Sequence, residues 1–401
     1  MASTTPKAHM SLVPEKQNKL RKFWSLLLKI FAKPYSTKGC DIIDHLDLHT
    51  LDQATIAQLK IALADQTVQK LHVAFWQLVK HENPDSVVLR YLRARSWDVN
   101  GALAKLISTL CWRQAFGVEE LLKGGELSAT TSSDQGFIRQ LRIGKAYLHG
   151  FDKLQRPISI ISPRLHRSSD QSPESIEKLT VYIMETIRLL CQEPNDMSCI
   201  IFDMTGFGLS NMDYTAVQFI INCLQSHYPE SLGLCLIHNA PWIFQGIWGI
   251  IKAWLDPIVA SKIQFTNNIN DLSKFISQEQ IPKFLGGKEN WAYEYKEPGT
   301  EENTTITDPS IDDLDEKQSV ENIRKDIIEN YKKATERWAN EGFEQSSSRT
   351  RVDEERDQLA GRLKQNYWAL DRFVRARTYY DRIGVLGTTG KLNLNCEIPS
   401  N

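Results

Sequence analysis

The chain has 401 residues, a formal net charge of −1, 41% hydrophobic residues and 24% charged residues. That is enough apolar material for a real core under an ordinary soluble surface. The near-zero charge excludes bulk nucleic-acid binding, which asks for a strongly basic domain. Seven cysteines at 40, 111, 191, 199, 223, 235 and 396 are odd in number and form no CxxC pair. Most sit inside apolar runs and read as small hydrophobes in a reducing compartment, with no zinc site. Spanning a bilayer takes about 20 apolar residues. The longest apolar stretch, 242–255, is shorter and is broken by Gln245 and Lys252. Membrane contact is therefore expected to be peripheral, from a cytoplasmic protein.

In chain order, residues 1–50 form a basic arm around "KQNKLRKFWSLLLKIFAK" (16–33), which is amphipathic; Glu15 is the sole acidic residue before Asp41. Charges interrupt its apolar part and no small-residue cleavage site follows, so it is not a secretory signal. Three readings stay open: a helix on an anionic membrane surface, a mitochondrial targeting helix, or a helix packed on the globule. Residues 51–130 read as a helical lobe. Apolar positions recur at three- and four-residue spacing through 51–80, and 85–118 reads as two helices joined at "SWDVNG".

From 131 to 296 the period changes. "GFIRQLRIGKAYLHG" (136–150) alternates like a strand, and "RPISIISP" (156–163) is a β-branched run between prolines. A helix follows over 172–192, opened by Ser172 with Glu174 and Glu177 near its first turn. "SCIIFDM" (198–204) and "LGLCLIHN" (232–239) are continuous apolar strands flanking a helix over 211–228, the order of a parallel pair. "KIQF" (262–265) supplies a further strand. Residues 297–401 read as an acidic linker over 297–320 and two helices around 319–340 and 352–379. The fold class is α/β, with helical segments at both ends and a mostly parallel sheet.

No GxSxG, HExxH or Walker pattern is present. His149, His166, His227 and His238 are isolated in sequence and read as structural. "DMTGFG" (203–208) lacks the spacing of a dinucleotide loop and reads as a tight turn after a strand. The segment "NAPWIFQGIWGIIKAWLDP" (239–257) is apolar nearly all the way round. Such a helix is either buried in a core or covers something apolar, and periodicity does not choose between these.

Five motifs in order carry a resemblance: "LRYLRARSWDV" with "WRQAFGV", "DKLQRPISI", "IIFDMTGFGLSN", "YPESLGLCLIHNAPWIF…WLDPIVASKIQF" and "IPKFLGG". Together, over roughly 85–295, they resemble the CRAL-TRIO lipid-binding family, and most of all its fungal phosphatidylinositol-transfer branch. The stretch "RDQLAGRLKQNYWALDRFVRARTYYDRIG" also resembles extensions of that branch. The resemblance implies an apolar lipid pocket floored by the sheet. The gate over it would carry Trp242, Ile243, Phe244, Ile247, Trp248, Ile251, Trp254 and Leu255. By the same resemblance Arg95, Lys262, Glu230 and Asp152 form a lipid headgroup site, the cations suiting phosphate and the carboxylates suiting sugar hydroxyls or holding the cations. A hydroxyl residue expected three positions before Lys262 is Val259.

The family's second site, for a choline phospholipid, is altered. Ser198 keeps a hydroxyl, Ile200 stands where another is expected, and the expected tyrosines are Leu148 and Ser159, with Tyr147 one position away. The expectation is a drier pocket that refuses phosphatidylcholine and tolerates a sterol or squalene-like lipid. The chain is thus expected to be a non-enzymatic lipid transfer protein for phosphatidylinositol. The alternatives are an apolar lipid carrier, or a lipid-sensing adaptor using the helices over 319–385. It would need no cofactor or metal beyond the bound lipid, act at membrane surfaces, present lipid to a phosphoinositide kinase, and bind no nucleic acid.

Overall fold

The computed structural model describes residues 12–43, 46–193, 195–340 and 347–393; residues 1–11 of the arm and Cys396 lie outside these. The chain divides into two compact units: Met1–Lys123 with Asn303–Arg375, and Gly124–Glu302 with Ala376–Asn401. This differs from the four consecutive segments expected, because each unit is completed by residues from far along the chain.

The first unit is helical. Its Pro14–Phe31 helix opens with proline at its first turn, where no backbone N–H is missed. Leu20, Phe23, Trp24, Leu27 and Ile30 recur at helical spacing and are all buried in the unit's core. Trp24 meets Phe75 and Tyr331 edge-on, both at 5.8 Å between ring centroids. The structure shows this helix packed on the globule: its apolar face is occupied, and Lys22, Lys29 and Lys33 are exposed.

The helices Ile311–Asn340 and Ser347–Val374 belong to the same core through Ile327, Tyr331, Ala334, Trp338, Leu359 and Leu363. Those six side chains are covered, while Ile311, Leu314 and Ile323 of the first helix stay exposed. Asp85, 2% exposed, ties the unit together. It accepts hydrogen bonds from Trp24 Nε1 at 2.7 Å, Arg356 Nη2 at 2.7 Å and Tyr331 Oη at 3.3 Å.

The second unit holds a five-stranded sheet: β1 (Ala146–Phe151), β2 (Pro157–Ile161), β3 (Ser198–Asp203), β4 (Leu232–His238) and β5 (Ile263–Thr266), side by side in that order. β1 is antiparallel to β2, and β2 to β5 run parallel. The strand expected to begin at 136 begins ten residues later. Gly136–Arg142 is a helix, with Phe137, Ile138 and Leu141 on its buried side. The short apolar spacing there fits either period. Strand alternation sends Tyr147, Ile158, Ile160, Cys199, Ile201, Leu234 and Leu236 to one face, against Leu272, Ile276, Ile281 and Leu285. The opposite face is covered by the helices Pro173–Leu190, Tyr214–Asn222 and Phe244–Lys252.

The chain's last described stretch fastens this unit. Glu126, 1% exposed, accepts from Tyr182 Oη and Tyr295 Oη, both at 2.7 Å, and from Tyr379 N at 2.9 Å, and pairs with Arg382. The helix Val118–Thr131 bends beside it at Gly125, where φ is +54°. A β-carbon there would stand 2.5 Å from that of Ala376, so glycine is required for both reasons. Tyr380 Oη accepts from Leu148 N at 2.6 Å, covering part of the free edge of β1.

Candidate functional site

Between the sheet and its three covering helices lies a cavity of about 210 Å³. Ile161, Ile200, Phe202, Ile237 and Ile263 floor it. Ile176, Leu179, Ile183 and Ile187 from Pro173–Leu190 and Val217, Ile220 and Ile221 from Tyr214–Asn222 wall it. A single water needs only about 10–15 Å³, and apolar cavities of about 150 Å³ stay dry and take hydrocarbon guests. This cavity therefore suits an apolar ligand.

The helix Phe244–Lys252 closes one side. Phe244, Trp248 and Ile251 line the cavity, as does Leu255 just beyond the helix. Ile247 is buried against Met204 and Phe207, Trp254 stands edge-on to Tyr214 at 5.8 Å, and Ile243 is half-buried. Trp242 is 83% exposed. The outer face carries Ile250 with Gly246 and Gly249, which open onto free space. The segment thus has an inner face on the cavity, and an outer face with Trp242 and Ile250 uncovered. Nearby Ile258 and Phe265 are exposed as well.

The far end of this helix is held by a side chain that sequence reasoning passed over. The Tyr214–Asn222 helix runs into a π-turn over Cys223–His227. Within that turn Gln225 accepts from Asp256 N at 2.7 Å and donates to Trp254 O at 3.4 Å. Asp256 in turn caps the helix Pro257–Ser261 through Val259 N at 2.7 Å. A π-turn has no strong sequence signature, although such turns favour functional positions.

Lys262 and Glu230 come together. Lys262 caps the C-terminus of Pro257–Ser261, and its Nζ lies 3.2 Å from Glu230 Oε2, both side chains half-buried. Glu230 has φ +55°, a left-handed backbone that costs a non-glycine residue about 1–3 kcal/mol and clusters at functional positions. Asp152 does not join them. It is buried in the β1–β2 turn, where it accepts from Leu154 N and Arg156 N, both at 2.9 Å, and from Arg156 Nε at 2.6 Å. That makes it the organiser of its own turn. Arg95 is exposed in the helical unit, at the end of Pro84–Ala94 and beside Gly101.

Of the second-ligand positions, Ile200 lines the cavity. Ser198 Oγ donates to Ser231 O at 3.3 Å. Tyr147 lies on the other face of the sheet, stacked on Tyr293 at 4.6 Å, and so faces away from the cavity. One residue decides this by strand parity, since Ala146 is the residue of β1 that lines the cavity.

A polar cluster borders the cavity near the ends of β2 and β3. Lys145 Nζ donates to Gln171 Oε1 at 2.9 Å and Gln140 Oε1 at 3.0 Å, and lies 3.2 Å from His166 Nδ1. His166 Nε2 lies 3.3 Å from Asp213 Oδ2, and Asn211 donates to the His166 carbonyl at 2.9 Å. His166, isolated in sequence, is thus at the centre of a network. Burial pushes the Lys145 ammonium down to about 8, with Asp170 and Asp213 opposing. Burial, then the Lys145 charge, lowers His166 below its ordinary value. Of the other histidines, His238 Nδ1 is 3.0 Å from Thr266 Oγ1 in the core, and His149 stacks on Trp291 at 3.6 Å.

Among the described residues no group of three or more acidic, histidine or cysteine side chains could hold a metal ion, and no helix is long and apolar enough to cross a membrane.

Comparison with known proteins agrees with this architecture. The CRAL/TRIO domain matches residues 141–287 and the CRAL/TRIO N-terminal domain residues 55–108. A CRAL-TRIO domain-containing protein of Schizosaccharomyces pombe is 40% identical over 332 residues, 82% of this chain and 72% of that protein. The phosphatidylinositol transfer protein CSR1 of Eremothecium gossypii is 41% identical over 313 residues, 78% of this chain and 70% of that one. A solved structure, that of Sfh5, overlays with a TM-score of 0.48 at 16% identity, covering 78% of this chain and 97% of that one. With the N-terminal match falling in the helical unit and the larger match on the sheet that floors the cavity, this chain belongs to the CRAL-TRIO family.

Proposed function

We propose that this protein is a lipid carrier that encloses one lipid monomer, phosphatidylinositol in the first instance, and exchanges it between membranes. The apolar cavity closed by the Phe244–Lys252 helix carries the reading. Releasing an acyl chain into water costs about 0.8 kcal/mol per CH₂, so a sixteen-carbon chain faces a barrier above about 10 kcal/mol. A cavity that receives the chain removes most of that barrier, and the helix serves as its gate. The uncovered Trp242, Ile250, Ile258 and Phe265 would meet the membrane while exchange proceeds. Lys262, with Glu230 beside it, would hold the phosphate and inositol. The phosphatidylinositol transfer protein at 41% identity supports that choice of headgroup. Binding and shielding are the whole activity; it needs no chemical step. Handing the lipid to a phosphoinositide kinase would be a consequence.

A second reading, an apolar lipid without a charged headgroup, is favoured by one observation. Val259 and Ile200 line the cavity where hydroxyl residues were expected.

The test is mass spectrometry of lipid carried by the purified protein, paired with vesicle-to-vesicle transfer by Lys262→Ala. The half-buried pair contributes at most about 1 kcal/mol to folding, so the variant folds. Stoichiometric phosphatidylinositol, with transfer abolished in the folded variant, is the expected result. Unchanged transfer removes the headgroup assignment, and absence of any lipid removes the carrier.

A further inference from the structure

Lys145 and His166 meet in a way that leaves room for one proton between them. Both are buried. Lys145 Nζ lies 3.2 Å from His166 Nδ1. An ammonium only donates, so Nδ1 accepts and the ring proton sits on Nε2, which faces Asp213 Oδ2 at 3.3 Å. A second proton would set an imidazolium against the ammonium, with two donors and no acceptor between them. Such a pair titrates as a unit, and its second proton enters only as the two side chains part.

The charges around the pair do not remove the conflict. Asp213, at the start of Tyr214–Asn222, and Asp170, on the same loop as His166, both favour protonation. Asp213 Oδ1 already caps its helix through Ala216 N at 3.1 Å, and Asp170 is shared with Arg139 of Gly136–Arg142 at 3.4 Å. Arg164 and Arg167, also on the loop, are exposed. Burial, followed by the Lys145 charge, still holds His166 below its ordinary value. The parting has a defined place to act. Residues 163–171 run along the polar border of the cavity, and Pro163 and His166 line it. Lys145 holds this loop at His166 and at Gln171, and Asn211 holds it at the carbonyls of Arg164 and His166. A loop that swings away returns His166 to water, where it takes a proton near its ordinary value of about 6.5. Closure is therefore fully favoured above that value and is lost as pH falls below it.

We propose that protonation of His166 parts it from Lys145 and frees the 163–171 loop, so that acid loosens the cavity wall and speeds lipid exchange. The inference rests on the carrier reading and adds a regulatory device to it. An anionic membrane at about −30 mV lowers the pH at its surface by roughly half a unit, which favours loosening where lipid is exchanged.

The test measures amide hydrogen exchange in the purified full chain at about pH 7.5 and about pH 5.5, on either side of the ordinary histidine value and corrected for the intrinsic effect of pH. Vesicle-to-vesicle transfer of radiolabelled phosphatidylinositol is followed at the same two values. Loss of one hydrogen bond predicts that loop amides such as His166 N and Asp170 N exchange roughly fivefold faster in acid, and that transfer rises with them. His166→Asn keeps an acceptor for Lys145 and takes no proton, while Lys145→Met removes the opposing charge. In each variant the acid-to-neutral ratio should fall to about one. The two are independent, so one that fails to fold leaves the other to decide. A wild-type loop indifferent to pH, acid loosening spread evenly over the whole sheet-bearing unit, or folded variants as acid-sensitive as the wild type overturns the proposal. A loosened loop without faster transfer also overturns it and leaves the carrier reading standing. No transfer at either pH removes both.

Discussion

Asp85→Ala should unfold the helical unit more easily than any surface change. The substitution strips three donors of their acceptor, and one is the buried guanidinium of Arg356. Breaking a buried pair by deleting one partner costs about 3–5 kcal/mol, because the remaining charge cannot return to water. Arg356 keeps its place over the Trp338 ring at 4.0 Å and its bond to Thr335 at 3.1 Å, so it is trapped where it stands. The orphaned Trp24 and Tyr331 donors place the expected loss at the upper end, about 4–5 kcal/mol. That is a third or more of a typical domain's total. Replacing both members, Asp85→Leu with Arg356→Met, should bring stability back to within about 2 kcal/mol of the wild type, since well-packed apolar substitutes often match a buried pair. Urea unfolding followed by tryptophan fluorescence reads both, with Trp24 and Trp338 as probes in this core. If Asp85→Ala lies within about 1 kcal/mol of the wild type, or the double variant is no better than the single, the pair does not hold the unit as argued.

Other outcomes follow from the same coordinates. Gln225→Ala frees the backbone at Trp254 and Asp256 and should speed vesicle-to-vesicle lipid exchange roughly fivefold, as the loss of about one net hydrogen bond from the closed gate requires. Equal or slower exchange in stopped-flow transfer would refute the latch. Burial, and then Lys332, pushes His72 down to about 4, where it stays neutral beside Phe31 and accepts from Trp76 Nε1 at 3.2 Å. The unfolded chain takes up this proton below about 6.5 and the folded chain does not, so stability should fall as pH drops from 6.5 to 4, by on the order of 3 kcal/mol. His72→Gln should flatten that limb of the stability–pH curve, and an unchanged limb would assign the acid sensitivity elsewhere.

Much of the sheet-bearing unit was legible because buried parallel strands are written as continuous apolar runs: "SCIIFDM", "LGLCLIHN" and "KIQF" all became neighbours in one sheet. The apolar segment that closes one side of the cavity stood out by its composition, and it brings Phe244, Trp248, Ile251 and Leu255 to the cavity wall. Residues 136–142 were misread because a short apolar spacing fits both periods, and tertiary burial chose the helix. Tyr147 illustrates the sharpness of strand parity, where one step along the chain exchanges a cavity wall for the opposite core. The Lys145–His166–Asp213 cluster drew nothing from sequence because its members are spread over almost 70 residues and carry no common spacing. Gln225 is an ordinary glutamine until a π-turn aims it. The membership of Pro14–Phe31 in a core finished by residues beyond 310 was likewise hidden, since an amphipathic pattern states that one face is covered and not by what.

That last arrangement sets a clock for synthesis. Trp24 and Arg356 bind the same carboxylate across 332 positions of sequence, counting from 24 to 356. At about 5–20 residues per second, a ribosome needs roughly 15 to 70 seconds to make the second after the first. For that interval the 14–31 stretch lacks the helices that later seal it. A newborn chain therefore displays the apolar face of this helix that the finished protein covers, and a chaperone or membrane that grips that face does so before the late helices dock.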